Sequence, residues 1–248
     1  MAEVVVIGGT GQIGAKVVAR LQGLGHGVRA ASPRTGVDTL SGDGLREALD
    51  GARVVIDVSK PHSYDPRSVP EFFRTATTNV LRAEERAGVE HHVALGIVGS
   101  ERPHDIPFYR AKDAGEQLVR DSGVPYTLVH ATQFFEFALG IAASAETEGV
   151  ITLPDAFVQP AAGADVADAV TGVALGEPLR AVTEIAGPVR MPLAGFVSRV
   201  LRARGDARTV RSAASGRYFG GHLDQGTLLP GENARLLPTH LEAWLAQN

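Results

Sequence analysis

"VVVIGGTGQIGAKVVARL", residues 4–21, opens with three valines and an isoleucine and closes with an amphipathic helical pattern. Between them lie Gly9-x-Gly11-x-x-Gly14 and, in the overlapping frame, Gly8-x-x-Gly11-x-x-Gly14. A triple-glycine pattern alone is weak, but here it follows an apolar strand and opens a helix, the context such a turn requires. Bare glycines let backbone amides approach a pyrophosphate, whose charge meets the positive end of the helix. The stretch therefore predicts dinucleotide binding through Gly8, Thr10, Gly11, Gln12, Ile13 and Gly14.

The end of the second strand, about 20 residues past the glycines, decides which dinucleotide. An NAD site usually places Asp or Glu there for the ribose hydroxyls. "VRAASPRTG", residues 28–36, offers Ser32 and Arg34, with no carboxylate before Asp38. A hydroxyl and a guanidinium suit a 2′-phosphate, so NADP(H) is the preferred cofactor and NAD(H) the alternative. The loop after the third strand, where ligands bind in open α/β sheets, adds Val58 and Ser59 as cofactor contacts, with Lys60 a weaker candidate.

Outward from the turn, short β-branched runs alternate with helical patterns, which implies βαβ units and a parallel sheet. Strands are predicted near 4–7, 27–31, 54–58, 92–95 and 126–131, and helices near 12–24, 44–49, 69–87 and 109–122. The second half is less regular. "ALGIAASAETEG" (138–149) reads as helix, "VITL" (150–153) as extended, and "ADVADAVTGVAL" (164–175) as a helix with Asp165 as N-cap. "AVTEIAG" (181–187) reads as a strand, "LAGFVSRVLRARG" (193–205) as a helix, and "PTHLEAWLAQ" (238–247) as a closing helix anchored by Trp244.

Composition sets the outer limits. The chain has 248 residues, 44% hydrophobic and 21% charged, with a net charge of -4, ordinary for a soluble globular protein and unsuited to a globally basic nucleic-acid binder. It has no cysteine, which excludes disulfides, thiolate catalysis and zinc–cysteine sites. "MAEVVVIGG" shows no signal peptide, and no apolar run is long enough to span a membrane. The expectation is a cytoplasmic protein with a small-molecule substrate, no nucleic-acid or membrane partner, no metal, and an oligomeric state left open. The pair His91–His92 lacks ligand spacing and points to opposite faces of a strand. Of 24 basic residues only Lys16, Lys60 and Lys112 are lysines, so a lysine here suggests that a compact ammonium was wanted. Six arginines in "SRVLRARGDARTVRSAASGR" (198–217) read as a solvated helix and loop, with an anionic substrate or partner surface as alternatives.

"GGTGQIG" (8–14), "HHVALGIVGSERP" (91–103), "FYRAKDAGEQLV" (108–119), "GVPYTLVHATQFFEF" (123–137) and "VQPAAGADVADAV" (158–170) together resemble the atypical short-chain dehydrogenase/reductases, more narrowly their NmrA-like branch. The likeness covers nearly the whole chain, though its C-terminal part matches only in outline. It implies a Rossmann-like, doubly wound α/β sheet over about residues 1–150. A smaller substrate-binding part over about 151–248 would return some elements to the core. In the wider superfamily a Tyr-x-x-x-Lys pair and a serine perform carbonyl chemistry. Lys112 fills the lysine place here, as a cofactor-binding clamp on the nicotinamide ribose or as itself the catalytic proton donor. Phe108 stands in the tyrosine frame and Gly96 where a serine is often found.

Tyr109 is the remaining candidate acid. Each helical residue turns about 100°, so positions 108 and 109 point apart. Tyr109 therefore reaches the site only if its helix starts late or its first turn is distorted; otherwise it packs. The substrate pocket is expected to include Gly96, Thr132, Gln133 and Phe134. Phe135 and Phe137 are expected in the core, and His130 as a buried structural histidine. Three readings follow from the resemblance: an NADPH-dependent reductase of a small carbonyl or quinone-like substrate, a nucleotide-sensing protein without turnover, and a non-redox epimerase or dehydratase.

Overall fold

The computed structural model describes residues 4–61, 63, 65, 67–102 and 105–247. The reading of the extreme N-terminus and part of the "KPHSYDP" loop thus lie outside the described residues. The elements run β1 (Val4–Ile7), α1 (Gly14–Gly23), β2 (Val28–Ala31), α2 (Leu45–Leu49), β3 (Val54–Asp57), α3 (Ser68–Ala87), β4 (His91–Ile97), α4 (Pro107–Asp121) and β5 (Tyr126–Ala131). They continue with α5 (Ala138–Ser144), β6 (Glu146–Thr147), β7 (Val150–Leu153), β8 (Phe157–Val158), α6 (Gly163–Ala174), β9 (Ala181–Ala186), β10 (Met191–Pro192), α7 (Leu193–Ala203), β11 (Thr209–Ser212), β12 (Arg235–Leu236) and α8 (Leu241–Leu245).

Seven strands form one sheet in the order β12-β9-β5-β4-β3-β1-β2. The pairs β1–β2, β1–β3, β3–β4 and β12–β9 are parallel, which makes this a Rossmann-like α/β fold. Strand β1 is buried at all four positions, as a central strand covered on both faces must be, and this is why it reads as an unbroken apolar run. The chain divides into two compact units. The first comprises Met1–Gly96, Ala111–His130 and Val166–Thr183; the second comprises Ile97–Arg110, Ala131–Asp165 and Glu184–Asn248.

In the first unit, Val5, Ile7, Leu45, Leu49, Val55 and Val80 form one core cluster. Helix α3 presents Val69, Phe72, Phe73, Ala76, Val80 and Leu81 along one buried stripe and ends at Gly88, whose φ of 70° gives the left-handed cap. In the second unit, Phe135, Ile141, Leu153, Phe196, Val197 and Trp244 share a core. The Trp244 ring lies 5.5 Å from that of Phe135, which anchors the final helix.

Three local expectations need correction. Helix α5 stops at Ser144, because Glu146–Thr147 pair antiparallel with Val150–Ile151. Asp165 is not an N-cap: α6 begins at Gly163, whose amide donates to the Glu136 carboxylate, and Asp165 instead accepts from the amide and hydroxyl of Thr239. Helix α4 starts at Pro107, two residues earlier than expected, with proline in the first turn where its missing N–H costs nothing.

Candidate functional site

The glycine turn is built by close backbone approach. A Cβ on Gly14 would lie 2.2 Å from the Gly8 carbonyl oxygen, and one on Gly9 would lie 2.7 Å from that of Val6. Gly8 has φ 77°, and a Cβ there would meet the Ser59 backbone at 2.9 Å. These three positions admit no side chain. Gly11 is looser, with only the Gly8 oxygen at 3.1 Å. Helix α1 begins with no acidic residue in its first turn and no side-chain cap. The amides of Gln12 and Ile13 have no hydrogen-bond acceptor among the described residues. Unpaired donors at a helix N-terminus, behind a turn no side chain can enter, suit the diphosphate of a dinucleotide.

The end of β2 is held against this turn. The Thr10 hydroxyl donates to that of Ser32 at 2.9 Å, and Ser32 caps a short turn over Pro33–Thr35. Arg34 on that turn is exposed and has no partner among the described residues. A free guanidinium and no carboxylate fit a 2′-phosphate better than a bare ribose. Arg34→Ala is expected to weaken NADPH binding about 10- to 100-fold, the worth of one charge-assisted contact, and to leave NADH binding nearly unchanged. Calorimetric titration of both nucleotides checks this, and equal losses would refute a phosphate contact. At the end of β3 the Val58 amide donates to the Ile7 carbonyl and the Ser59 amide to Asp57, which sets Ser59 beside Gly8. Lys60 is exposed.

Lys112 is half-buried on α4, its Nζ 5.2 Å from the centre of the Phe73 ring. With Asp57, Ser59, Thr77, His92 and Glu116 it lines a cavity of about 10 Å³. Two buried acid–histidine pairs adjoin it. His92 Nδ1 lies 2.7 Å from Glu84 Oε1, and His130 Nε2 lies 2.7 Å from Glu116 Oε2. Burial is the largest influence on the first pair. It pushes the Glu84 carboxyl up; it pulls the His92 imidazole down, but the adjacent Glu84 outweighs it and leaves His92 raised. Gly96 makes the second pair possible: a Cβ there would lie 2.3 Å from Glu116 Oε1 and 2.5 Å from the His130 ring. A serine in that place would collide with both. His91 bonds to Thr127 instead.

The second unit takes Tyr109. With α4 beginning at Pro107, neither condition that would bring the phenol to Lys112 is met. Tyr109 is 3% exposed, accepts from Gln133 Nε2 at 3.0 Å and donates weakly to Tyr218 at 3.5 Å. Phe108 packs against the same unit's core. Gln133 is buried with its Oε1 unpartnered, Thr132 donates to the Gln159 carbonyl at 2.6 Å, and half-buried Phe134 bridges to Ala161. Phe135 is fully buried and Phe137 stacks on Phe219. Most of the basic tail is engaged locally: Arg199 with Glu242, Arg208 with Asp206, Arg211 with Thr152.

Burial pushes the Tyr109 hydroxyl up to about 12 against weaker lowering by Tyr218 and Gln133, and burial raises Tyr218 as well. A phenol raised in the folded state contributes stability that is whole below its unfolded value of about 10 and lost as pH climbs through the folded value. Two pH units correspond to about 2–3 kcal/mol. Alkaline unfolding is therefore expected between about pH 10 and 12, with these phenols ionising only as the chain opens. Ultraviolet titration beside circular dichroism checks it; ionisation near pH 10 without unfolding would contradict it.

Glu84, Glu116 and Tyr218 were not singled out from the sequence, and His92 was weighed there only as half of a histidine pair without metal-ligand spacing. A signal existed for two of them. Glu84 continues the apolar stripe of α3, where a carboxylate is out of place, and Glu116 stands one helical turn after Lys112.

The chain is similar to known proteins. A family model described as NAD(P)H-binding matches residues 8–174. The chain is 35% identical to a (4-alkanoyl-5-oxo-2,5-dihydrofuran-3-yl)methyl phosphate reductase of Streptomyces griseus over 158 residues, 60% of this chain and 54% of that protein. It is 28% identical to the Photosystem II assembly factor Ycf39 of Cyanophora paradoxa over 152 residues, 56% of this chain and 47% of that one. The chain thus spans about half the length of the curated relatives it matches. Among solved structures, an NADPH-dependent quinone oxidoreductase of Escherichia coli complexed with NADPH superposes with a TM-score of 0.60 at 23% identity, covering 85% of this chain and 77% of the other. A UDP-glucose 4-epimerase of Thermus thermophilus complexed with NAD reaches 0.67 at 17% identity, covering 99% and 93%. At such identities the likeness is one of fold. No helix among the described residues is long and apolar enough to cross a membrane.

Proposed function

The chain belongs to this NAD(P)H-binding family, and from that premise we propose that it is an NADPH-dependent reductase of a small carbonyl or quinone-like compound, with Lys112 as its proton donor. The observation that carries the reading is the setting of Lys112. This lysine lines a cavity whose wall also carries Asp57, Ser59, Thr77, His92 and Glu116, flanked by two acid–histidine pairs, in the unit that also holds the glycine turn. The reductase among the curated relatives and the quinone oxidoreductase among the structures support it.

The amides of Gln12 and Ile13 would hold the diphosphate, Ser32 and Arg34 the 2′-phosphate, and Val58 and Ser59 the adjoining nucleotide wall. Bound NADPH supplies hydride. Lys112 would orient the ribose side and give its proton to the oxygen that becomes an alkoxide. Tyr109 is kept out of the reaction by its contacts within the second unit.

A second reading has an observation of its own. Gly96 leaves no space for a substrate-orienting serine, and Phe108 offers no hydroxyl, which suits a protein that senses the nucleotide without turning it over. One experiment separates the two. NADPH absorbance is followed against quinones, aldehydes, ketones and unsaturated lactone phosphates, beside calorimetry with NADPH and NADP+. Acceptor-dependent oxidation supports the reductase. Discrimination between the two nucleotides with no acceptor-dependent oxidation supports the sensor and sinks the reductase.

A further inference from the structure

Two buried polar atoms beside Lys112 have no protein partner among the described residues: His92 Nε2 and Glu116 Oε1. Both residues are within 2% of full burial, and both line the cavity that Lys112 lines. An unmet polar atom at such depth costs about 1–3 kcal/mol, so two of them on residues that line one cavity call for a partner there. The cavity volume of about 10 Å³ admits about one water. Facing it are Asp57 at the end of β3, Thr77 on α3, His92 on β4, and Lys112 and Glu116 on α4. Glu84 on α3 and His130 on β5 stand behind His92 and Glu116.

We propose that this cavity is a one-water proton site, in which a water bridging His92 Nε2, Glu116 Oε1 and the Lys112 ammonium returns a proton to Lys112 after each turnover. The role rests on the reading of Lys112 as the acid. Glu84 and His92 act through Lys112 and are positioning residues.

The proton count closes. With one proton on the hydrogen bond between Glu84 Oε1 and His92 Nδ1, the pair carries no net charge. That proton sits either on Glu84, bonded to imidazole Nδ1, or on Nδ1 itself. In both arrangements Nε2 bears a hydrogen, a donor to the water, while Glu116 Oε1 is an acceptor for it. When Lys112 breaks an N–H bond to form the product O–H, the water passes a proton to the free amine and takes one from Nε2. His92 is left with its hydrogen on Nδ1, bonded to the Glu84 carboxylate. One solvent proton resets the pair, and no other reactant is needed.

Isotopic labelling of lysine and histidine nitrogen reads this without activity. Only three lysines are present, so the Lys112 resonance is identified by its loss in Lys112→Ala. In the protein loaded with NADP+, the His92 Nε2–H is expected in slow exchange with a cross-peak to a long-lived water. The Lys112 resonance should follow the Glu84–His92 proton with pH, and that inflection should vanish in His92→Gln. Ala94→Val adds two methyl groups to the cavity wall without touching a titratable group and should remove the water cross-peak; Thr77→Val serves if that variant fails to fold. Absence of the water, or a Lys112 resonance indifferent to His92→Gln, overturns the proposal. In turnover, Glu84→Gln should lower kcat about tenfold or more, with a larger solvent isotope effect and KM for NADPH within about twofold. An unchanged kcat overturns the relay. Water and coupling without any NADPH oxidation overturn the reductase reading and the relay with it, but leave the water site standing.

Discussion

Gly14→Ala is expected to abolish nucleotide binding at concentrations where the wild-type protein is saturated. The added methyl would sit 2.2 Å from the Gly8 oxygen and 2.8 Å from the Gly8 carbon and Gly9 Cα, and every one of those atoms is backbone. No rotamer change relieves such contacts. The turn must open, which moves the Gln12 and Ile13 amides from the geometry that faces a diphosphate. Overpacking of this kind costs about 1–3 kcal/mol in stability, and a binding loss of about 100-fold corresponds to about 2.7 kcal/mol. Thermal unfolding with and without NADPH separates the two. The wild-type melting temperature should rise with nucleotide and that of Gly14→Ala should not. Gly11→Ala is the graded control, since its methyl would meet one oxygen at 3.1 Å. Binding by Gly14→Ala within about threefold of wild type would remove the glycine turn as the diphosphate site.

Lys112→Met is expected to lower kcat by about 10²- to 10⁴-fold, the range for loss of a general acid, while NADPH affinity falls far less. Lys112→Arg discriminates between two roles. A guanidinium can still contact a ribose but stays protonated at neutral pH and cannot serve as an acid. Recovery by arginine would mean a clamp, and no recovery a proton donor. Tyr109→Phe should change kcat by less than about threefold, because that phenol is committed to Gln133 and Tyr218. A Lys112→Met protein of near-normal activity would overturn the site assignment.

Much of the fold could be read from local pattern. Strands β1 and β5 fall at the predicted residues, because a β-branched run buried on both faces has few other options. The start of α4 was misplaced by two residues, since Pro107 reads as readily as a breaker as it does a first-turn residue. Asp165 looked like a cap because its type is right for one, but Glu136 meets the helix end from elsewhere in the chain. Of the site, Lys112 was visible by its rarity among arginines. The acid–histidine pairs were not, because Glu84 meets His92, and Glu116 meets His130, only through helix-on-sheet packing.

The glycine turn is a matter of steric exclusion within a few consecutive residues, so residue type alone dictates it: where a Cβ has no room, glycine must stand, and the nucleotide-binding α/β architecture follows. The direction of two side chains three apart on one helix is a different kind of fact. Tyr109 enters the core of the second unit and Lys112 the cavity beside the acid–histidine pairs of the first, although their spacing allows them to touch. Burial chose between these outcomes. The apolar body of the tyrosine is sheltered among residues from distant parts of the chain, and the ammonium stays where acids and a ring face can offset its desolvation.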